Sequence, residues 1–310
     1  MERREFLRAG VVALAGAVWS DGLTAQQPKP AAAKLAERGR FKLKYAPHFG
    51  MFKHSAGDDL LDQLKFAAEQ GFAAWQDNTL SARPVEVQEK IGRTLASLDM
   101  EIGAFQAAAS FQEVGFERKN DPAWQQLLQD IRYSVEVAKR VSAKWVTVSP
   151  GRYQHGVDPD CQAANCVELL KRCCGILEPH GLVLVLEPLN WGANGSGAFP
   201  PKPALRLESI CRAVGSPSCK ILFDVCRQQN TQGGLVPKID LVWSEIGYFH
   251  SADHPGRKEP GTGNIDYRSV FRHLAAMGYS GIVGMEHGNS KPGAEGELAV
   301  IEAYAAAERV

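Results

Sequence analysis

Eight times between Leu43 and Ala307, a short apolar run of β-type residues is followed by a longer amphipathic run. The predicted strands are Leu43–Ala46, Ala73–Trp75, Glu101–Phe105, Trp145–Val148, Leu182–Leu186, Lys220–Phe223, Ile246–His250 and Ile282–Met285. The predicted helices after them are Asp59–Gln70, Pro84–Leu98, Ala123–Val141, Cys161–Leu177, Ala204–Val214, Leu235–Glu245, Tyr267–Met277 and Glu295–Ala307. Strands alternating with helices of this length read as βαβ units on a parallel sheet. Val183-Leu184-Val185-Leu186 is apolar at every position, as a strand buried on both faces requires. Eight such units in 310 residues match a single α/β (β/α)8 TIM barrel, which takes about 250 residues. The competing architecture is an open doubly wound sheet. It calls for a glycine-rich phosphate loop after the first strand, and Pro47-His48-Phe49-Gly50 is not one. No repeat or low-complexity stretch follows residue 35, so 36–310 reads as one domain.

The first 35 residues lie outside that pattern. Arg3 and Arg4 precede Phe6-Leu7, an apolar run extends from Ala9 to Trp19, and polar, Pro- and Ala-rich sequence follows. A charged start, a short apolar middle and a small-residue exit describe an export signal. Paired arginines before Phe-Leu resemble the twin-arginine signal, a receptor-read address for proteins exported already folded. The apolar run falls short of the roughly 20 residues that span a bilayer. The expectation is an export signal and flexible linker over 1–35, a periplasmic or otherwise exported protein, and no membrane span in the mature form.

Thirty-five basic residues balance thirty-five acidic ones. No strong field is available to hold a polyanion, which argues against a nucleic-acid partner. The seven cysteines contain no Cys-x-x-Cys spacing of a zinc or redox site. Cys211 and Cys219 are the closest candidates to pair, across a helix end, while most of the seven read as small buried hydrophobes. The oligomeric state stays open, a homo-oligomer included.

The residues that end the strands carry the chemistry. In a barrel the carboxyl ends of the strands converge on one mouth. The fifth strand is followed by Glu187, the sixth by Asp224 and the eighth by Glu286, while the seventh ends in His250. Taken singly, Asp224 is as readily a helix cap, His250 a core histidine, and the glutamates ordinary ion-pair partners. In register on consecutive strands, they gather charges that would repel each other and be costly to bury. One divalent cation removes that cost. An oxygen-rich shell with one nitrogen suits Mg or Mn first, and Zn or Co next. His48, Gln76 and Gln106, after the first three strands, are candidate substrate-binding groups, each equally readable as a loop contact. Phe49, Phe52, Trp75 and Trp191 could wall a sugar ring, although aromatics at strand ends are more often core.

Glu187-Pro188-Leu189-Asn190, Phe223-Asp224, the run from Ala252 to Gly263 that contains Pro255-Gly256-Arg257-Lys258-Glu259-Pro260-Gly261-Thr262-Gly263, and Gly284-Met285-Glu286 carry a resemblance. They are similar to the xylose-isomerase-like TIM-barrel superfamily, nearest its hydroxypyruvate isomerase branch, with the ketose 3-epimerases as cousins. The resemblance runs from about Leu43 to the end of the chain. It implies that Glu187, Asp224, His250 and Glu286 hold one metal, and that Glu187 and Glu286 form the catalytic acid–base pair. It also implies that Arg257 touches substrate. Three residues after the sixth-strand aspartate, where the family usually has a histidine, this chain has Arg227. An arginine there offers a planar fork for a carboxylate or phosphate and cannot act as a base.

The expected activity is isomerisation of a small sugar or hydroxy-keto acid by proton transfer through an enediolate. One glutamate takes the proton and the other returns one. Two other readings stand beside it. The first is an exported 3-keto-glycoside epimerase or lyase on the same site, which export and Arg227 favour. The second is an exported sugar-binding barrel that has lost catalysis, against which both glutamates argue. A metal-dependent DNA-repair endonuclease ranks lowest, because His54, His155, His180, His254 and His273 do not fall at strand ends.

Overall fold

Short apolar strands shielded by capped amphipathic helices dominate the computed structural model, which describes residues 41–107, 119, 122–148, 156–187, 203–231 and 233–309. Residues 38–310 form one compact unit. The segment read as an export signal falls outside the described residues.

Among the described residues, nine strand segments make eight barrel staves. They are β1 (Lys44–Ala46), β2 (Ala74–Trp75), β3 (Glu101–Ile102), β4 (Phe105–Gln106), β5 (Trp145–Val148), β6 (Val183–Leu186), β7 (Cys219–Asp224), β8 (Ile246–Ser251) and β9 (Ile282–Met285). One parallel sheet runs β1-β9-β8-β7-β6-β5-β4, and β2 pairs with β3. The circle closes in two places. A parallel bridge joins His48 to Gln76, between the first two staves. The third predicted strand then bends at Gly103-Ala104, so that β3 pairs with β2 while β4 pairs with β5. That split is a difference from the single strand Glu101–Phe105 expected from sequence, and its cause is in the interior. A Cβ on Gly103 would stand 2.3 Å from the Tyr248 hydroxyl. Ala46, Ala74 and Ala104, on consecutive staves, pack with Val185, Leu222 and Ile282 around fully buried Tyr248. Small residues on one side of the barrel make room for one large ring crossing from the other.

The helices follow from caps and periodicity. The helices that the argument uses are α1 (Leu60–Glu69), α2 (Pro159–Leu177), α3 (Val225–Thr231) and α4 (Gly293–Glu308). Asp59 caps α1 by accepting from the backbone N–H of Leu61 and Asp62, and Asp158 caps α2 with Pro159 in the first turn. Helix α3, absent from the sequence expectation, starts directly after Asp224, whose Oδ1 accepts from Arg227 N at 2.9 Å. The reading of Asp224 as a helix cap is therefore correct as far as it goes.

All seven cysteines are free thiols, Cys161 exposed and the rest buried. Cys211 and Cys219 approach to 3.8 Å between sulfurs. Burial pushes the Cys166 thiol up to about 12, as expected of a thiol that serves as a packing group. No helix among the described residues is long and apolar enough to cross a membrane.

Candidate functional site

At the carboxyl ends of β6, β7 and β8 stand Glu187, Asp224 and His250. One ligand atom from each lies within 4.8 Å of the others. Asp224 is fully buried and His250 is 1% exposed, so both strand ends present their side chains inside the protein rather than to solvent. His250 Nδ1 is buried with no hydrogen-bond partner among the described residues and faces Glu187 Oε1 at 3.9 Å. A buried, unpaired imidazole nitrogen beside two carboxylates fits a divalent cation, which would satisfy it. This donor set of two oxygens and one nitrogen comprises three of the four candidate ligands read from the sequence.

Two guanidinium groups neutralise part of the charge. Arg227 reaches Glu187 Oε1 and Asp224 Oδ2, each at 3.1 Å, and Arg257 donates to Asp224 Oδ2 at 3.0 Å. Burial alone would raise the Asp224 carboxyl. Arg257 and then Arg227, with His250 behind them, hold it below the usual carboxylate range.

Glu286 approaches the same imidazole from its other side, with Oε2 4.0 Å from His250 Nε2. Its carboxylate accepts from Gln76 Nε2 at 2.9 Å and from Asn78 Nδ2 at 3.2 Å. Burial opposes its ionisation, but His250, the Asn78 hydrogen bond and Arg257 outweigh it and hold its pKa below the ordinary value. The structure thus brings three of the four proposed ligands into one cluster and sets the fourth across the His250 ring.

Gln76 organises that second side. It is completely buried, accepts from Tyr248 Oη at 2.9 Å, and gives its amide protons to Glu286 and to Asn78 Oδ1 at 3.1 Å. Its amide nitrogen also lies 3.1 Å from His250 Nε2. Gly284 makes the approach feasible, since a Cβ there would meet Gln76 Oε1 at 2.0 Å and His250 Cδ2 at 2.8 Å.

His48 lines an open cleft of about 370 Å³ together with Asn78, Arg257, Glu286, His287 and Gly288. Its ring nitrogens face two carbonyl oxygens, Phe49 O at 3.0 Å and His287 O at 3.1 Å. His287 is buried, which pushes its pKa down to about 3 and keeps the ring neutral. Gln106 ends β4 half-buried, and its backbone carbonyl accepts from Ser81 Oγ at 2.9 Å. Phe52 and Trp75 are fully buried core, Phe49 packs on Trp75 with centroids 4.8 Å apart, and Trp191 lies outside the described residues. The candidate sugar walls Phe52 and Trp75 are therefore core residues.

Asn78, Tyr248 and His287 are site residues that the sequence reading missed. A signal existed for two of them. Tyr248 stands two residues before His250 and shares its strand face, and Asn78 stands two residues after Gln76.

The arrangement invites comparison with proteins of known kind. Hydroxypyruvate isomerase of Escherichia coli (strain K12) is 28% identical over 155 residues, covering 50% of this chain and 59% of that enzyme. The chain thus matches about three-fifths of that relative's length. Among solved structures, AP endonuclease, family 2, from Brucella melitensis has a TM-score of 0.71 at 22% identity, covering 84% of this chain and 99% of its own. The 3-keto-D-glucoside 4-epimerase of Escherichia coli has a TM-score of 0.70 at 17% identity, covering 86% and 99%. At these identities the structural likenesses establish the fold alone. A family model described as xylose isomerase-like TIM barrel matches residues 64–305, most of the chain. On that match and on the barrel just described, the chain belongs to the xylose isomerase-like TIM barrel family.

Proposed function

We propose that the protein is a metal-dependent isomerase of a small hydroxy-keto acid or sugar, with the hydroxy-keto acid favoured. The observation that carries the choice is the charge of the site. Glu187, Asp224 and Glu286 face Arg227 and Arg257, which leaves one net negative charge when all are ionised. A divalent cation reverses that to one net positive charge, complementary to a single substrate carboxylate. Glu187, Asp224 and His250 Nδ1 would hold the ion, while Glu286, at the opposite nitrogen of the ring, stands outside that cluster; Mg or Mn suits the set best, with Zn or Co next. When bound, the ion supplies Lewis-acid polarisation of the substrate's adjacent oxygens.

The chain's own residues do the rest. Arg227 and Arg257 orient the carboxylate. Glu187 and Glu286, on opposite sides of His250, take a proton from one carbon and return one to its neighbour. Gln76 and Asn78 hold the Glu286 carboxylate in place. His48 and Gln106 are further substrate contacts in this reading. The open cleft lined by His48, Asn78, Glu286 and Gly288 supports a second reading as a 3-keto-glycoside epimerase or lyase, because it leaves room for a longer substrate. A non-catalytic sugar-binding barrel leaves the paired carboxylates unexplained.

The deciding experiment is proton exchange with deuterated water, followed by NMR with Mn²⁺ present. Hydroxypyruvate, 2-oxo-hydroxy acids, aldoses, ketoses and 3-keto-glycosides form the panel. Exchange at the carbon beside the carbonyl of a keto acid, lost on chelation, is the expected result. Exchange confined to 3-keto-glycosides selects the second reading, and binding without exchange selects the third.

We also propose that the protein is exported through the twin-arginine signal. Replacing Arg3 and Arg4 together with Lys should leave precursor in the cytoplasm, as followed by fractionation. Unchanged delivery of the double variant would show that the paired arginines are not an address.

A further inference from the structure

Behind the site, a buried chain of hydrogen bonds ends on neither His250 nor Glu286 yet touches the chain neighbour of each. Tyr304, on α4, is completely buried, with its hydroxyl 2.7 Å from Ser251 Oγ and 2.9 Å from His287 Nε2. Ser251 directly follows His250 and His287 directly follows Glu286. The direction of each bond follows from its acceptors. His287 Nδ1 lies 3.1 Å from Gly288 O, and a carbonyl only accepts, so the proton sits on Nδ1. Nε2 must then accept the Tyr304 proton. Tyr304 oxygen in turn takes the proton of Ser251, whose other acceptor, Gly284 O, is farther at 3.3 Å.

Two further contacts tie the chain to the strands. Glu286 N donates to Ser251 O at 3.1 Å, and His48 Nε2 lies 3.1 Å from His287 O. The two rings of the relay stack, with His287 and Tyr304 only 15° from parallel. Burial also raises the Tyr304 phenol well above its usual range, so it stays a donor.

We propose that Tyr304 is a positioning residue: through Ser251 and His287 its single hydroxyl fixes the exits of β8 and β9, and thereby the separation of His250 from Glu286. The inference rests on the functional reading of those two residues. Partners that orient metal-binding side chains typically change metal affinity or activity by about 10–100-fold when removed.

The test is Tyr304→Phe in the full chain, which keeps the ring and removes one oxygen. The ring nitrogens of His250 and His287 are followed by ¹⁵N NMR in chelator-treated protein, and Mn²⁺ affinity by calorimetry. Both histidine signals should move, and Mn²⁺ should bind about 10-fold more weakly. Turnover of any substrate that the exchange panel identifies should fall in kcat more than in KM. Ser251→Ala should shift His250 alone, and its effect should not add to that of Tyr304→Phe, since both act on one chain. If Tyr304→Phe moves only His287 and lowers the melting temperature with Mn²⁺ affinity intact, Tyr304 is merely structural and the inference fails. Should that variant not fold, an unmoved His250 signal in Ser251→Ala overturns it instead. Wild-type protein that binds no Mn²⁺ would overturn the functional reading, while the NMR arm still decides the relay.

Discussion

Glu187→Gln and Glu286→Gln should each lower turnover by about 10²–10⁴-fold while the protein still folds. Both side chains are partly exposed, at 19% and 26%, so an isosteric amide leaves no fully buried charge unpaired. Gln at 286 can still accept from Gln76 and Asn78 through its carbonyl oxygen. Gln at 187 loses the ion pair with Arg227 but keeps one oxygen beside His250 Nδ1. What each change removes is the ability to take or give a proton. Solvent-deuterium exchange separates the two roles. Loss of the proton acceptor abolishes exchange; loss of the donor leaves exchange without net product. Near-normal turnover in both variants, with metal bound, would refute the two-glutamate mechanism.

Arg227 belongs to a different class of effect. Its guanidinium cannot act as a base, and it spans Glu187 and Asp224 at the edge of the cluster.

How far the sequence disclosed this site depends on which interactions are local. The strand-end positions of Glu187, Asp224, His250 and Glu286 were legible because each follows an apolar run, and the barrel turns eight such ends toward one mouth. The bend at Gly103 was not legible, because its cause is Tyr248, 145 positions away and reaching across the interior. Gln76 could be placed at a strand end, but its buried role could not, since Tyr248, Glu286 and Asn78 meet it only after closure. Gly284 shows the same limit. In sequence it is one glycine in an apolar strand, and in the barrel it is the space that Gln76 and His250 occupy. Helix α3 was not legible because Val225–Thr231 is short and mostly polar and carries no apolar periodicity of its own.

The last prediction turns on that double duty. Asp224 Oδ1 caps α3 while Oδ2 holds Arg257 and Arg227, so removing the side chain costs both a cap and two ion pairs. Asp224→Ala should therefore carry essentially no divalent ion, against about one per chain in the parent, when the protein is loaded with Mn²⁺, desalted and assayed for metal. The lost cap accounts for about 1 kcal/mol, or about 2–4 °C in melting temperature for a domain of this size, and the loss of the buried partner of Arg227 and Arg257 lowers stability further. Asp224→Asn separates the two duties. Its amide oxygen can still cap α3, so the part of the stability lost with the cap should recover while metal binding does not, because a neutral ligand beside two arginines cannot offset their charge. If Asp224→Ala keeps full occupancy, the ion is not held here. If Asp224→Asn binds metal like the parent, the carboxylate's charge is irrelevant to the site, and the electrostatic argument for an acidic substrate falls with it.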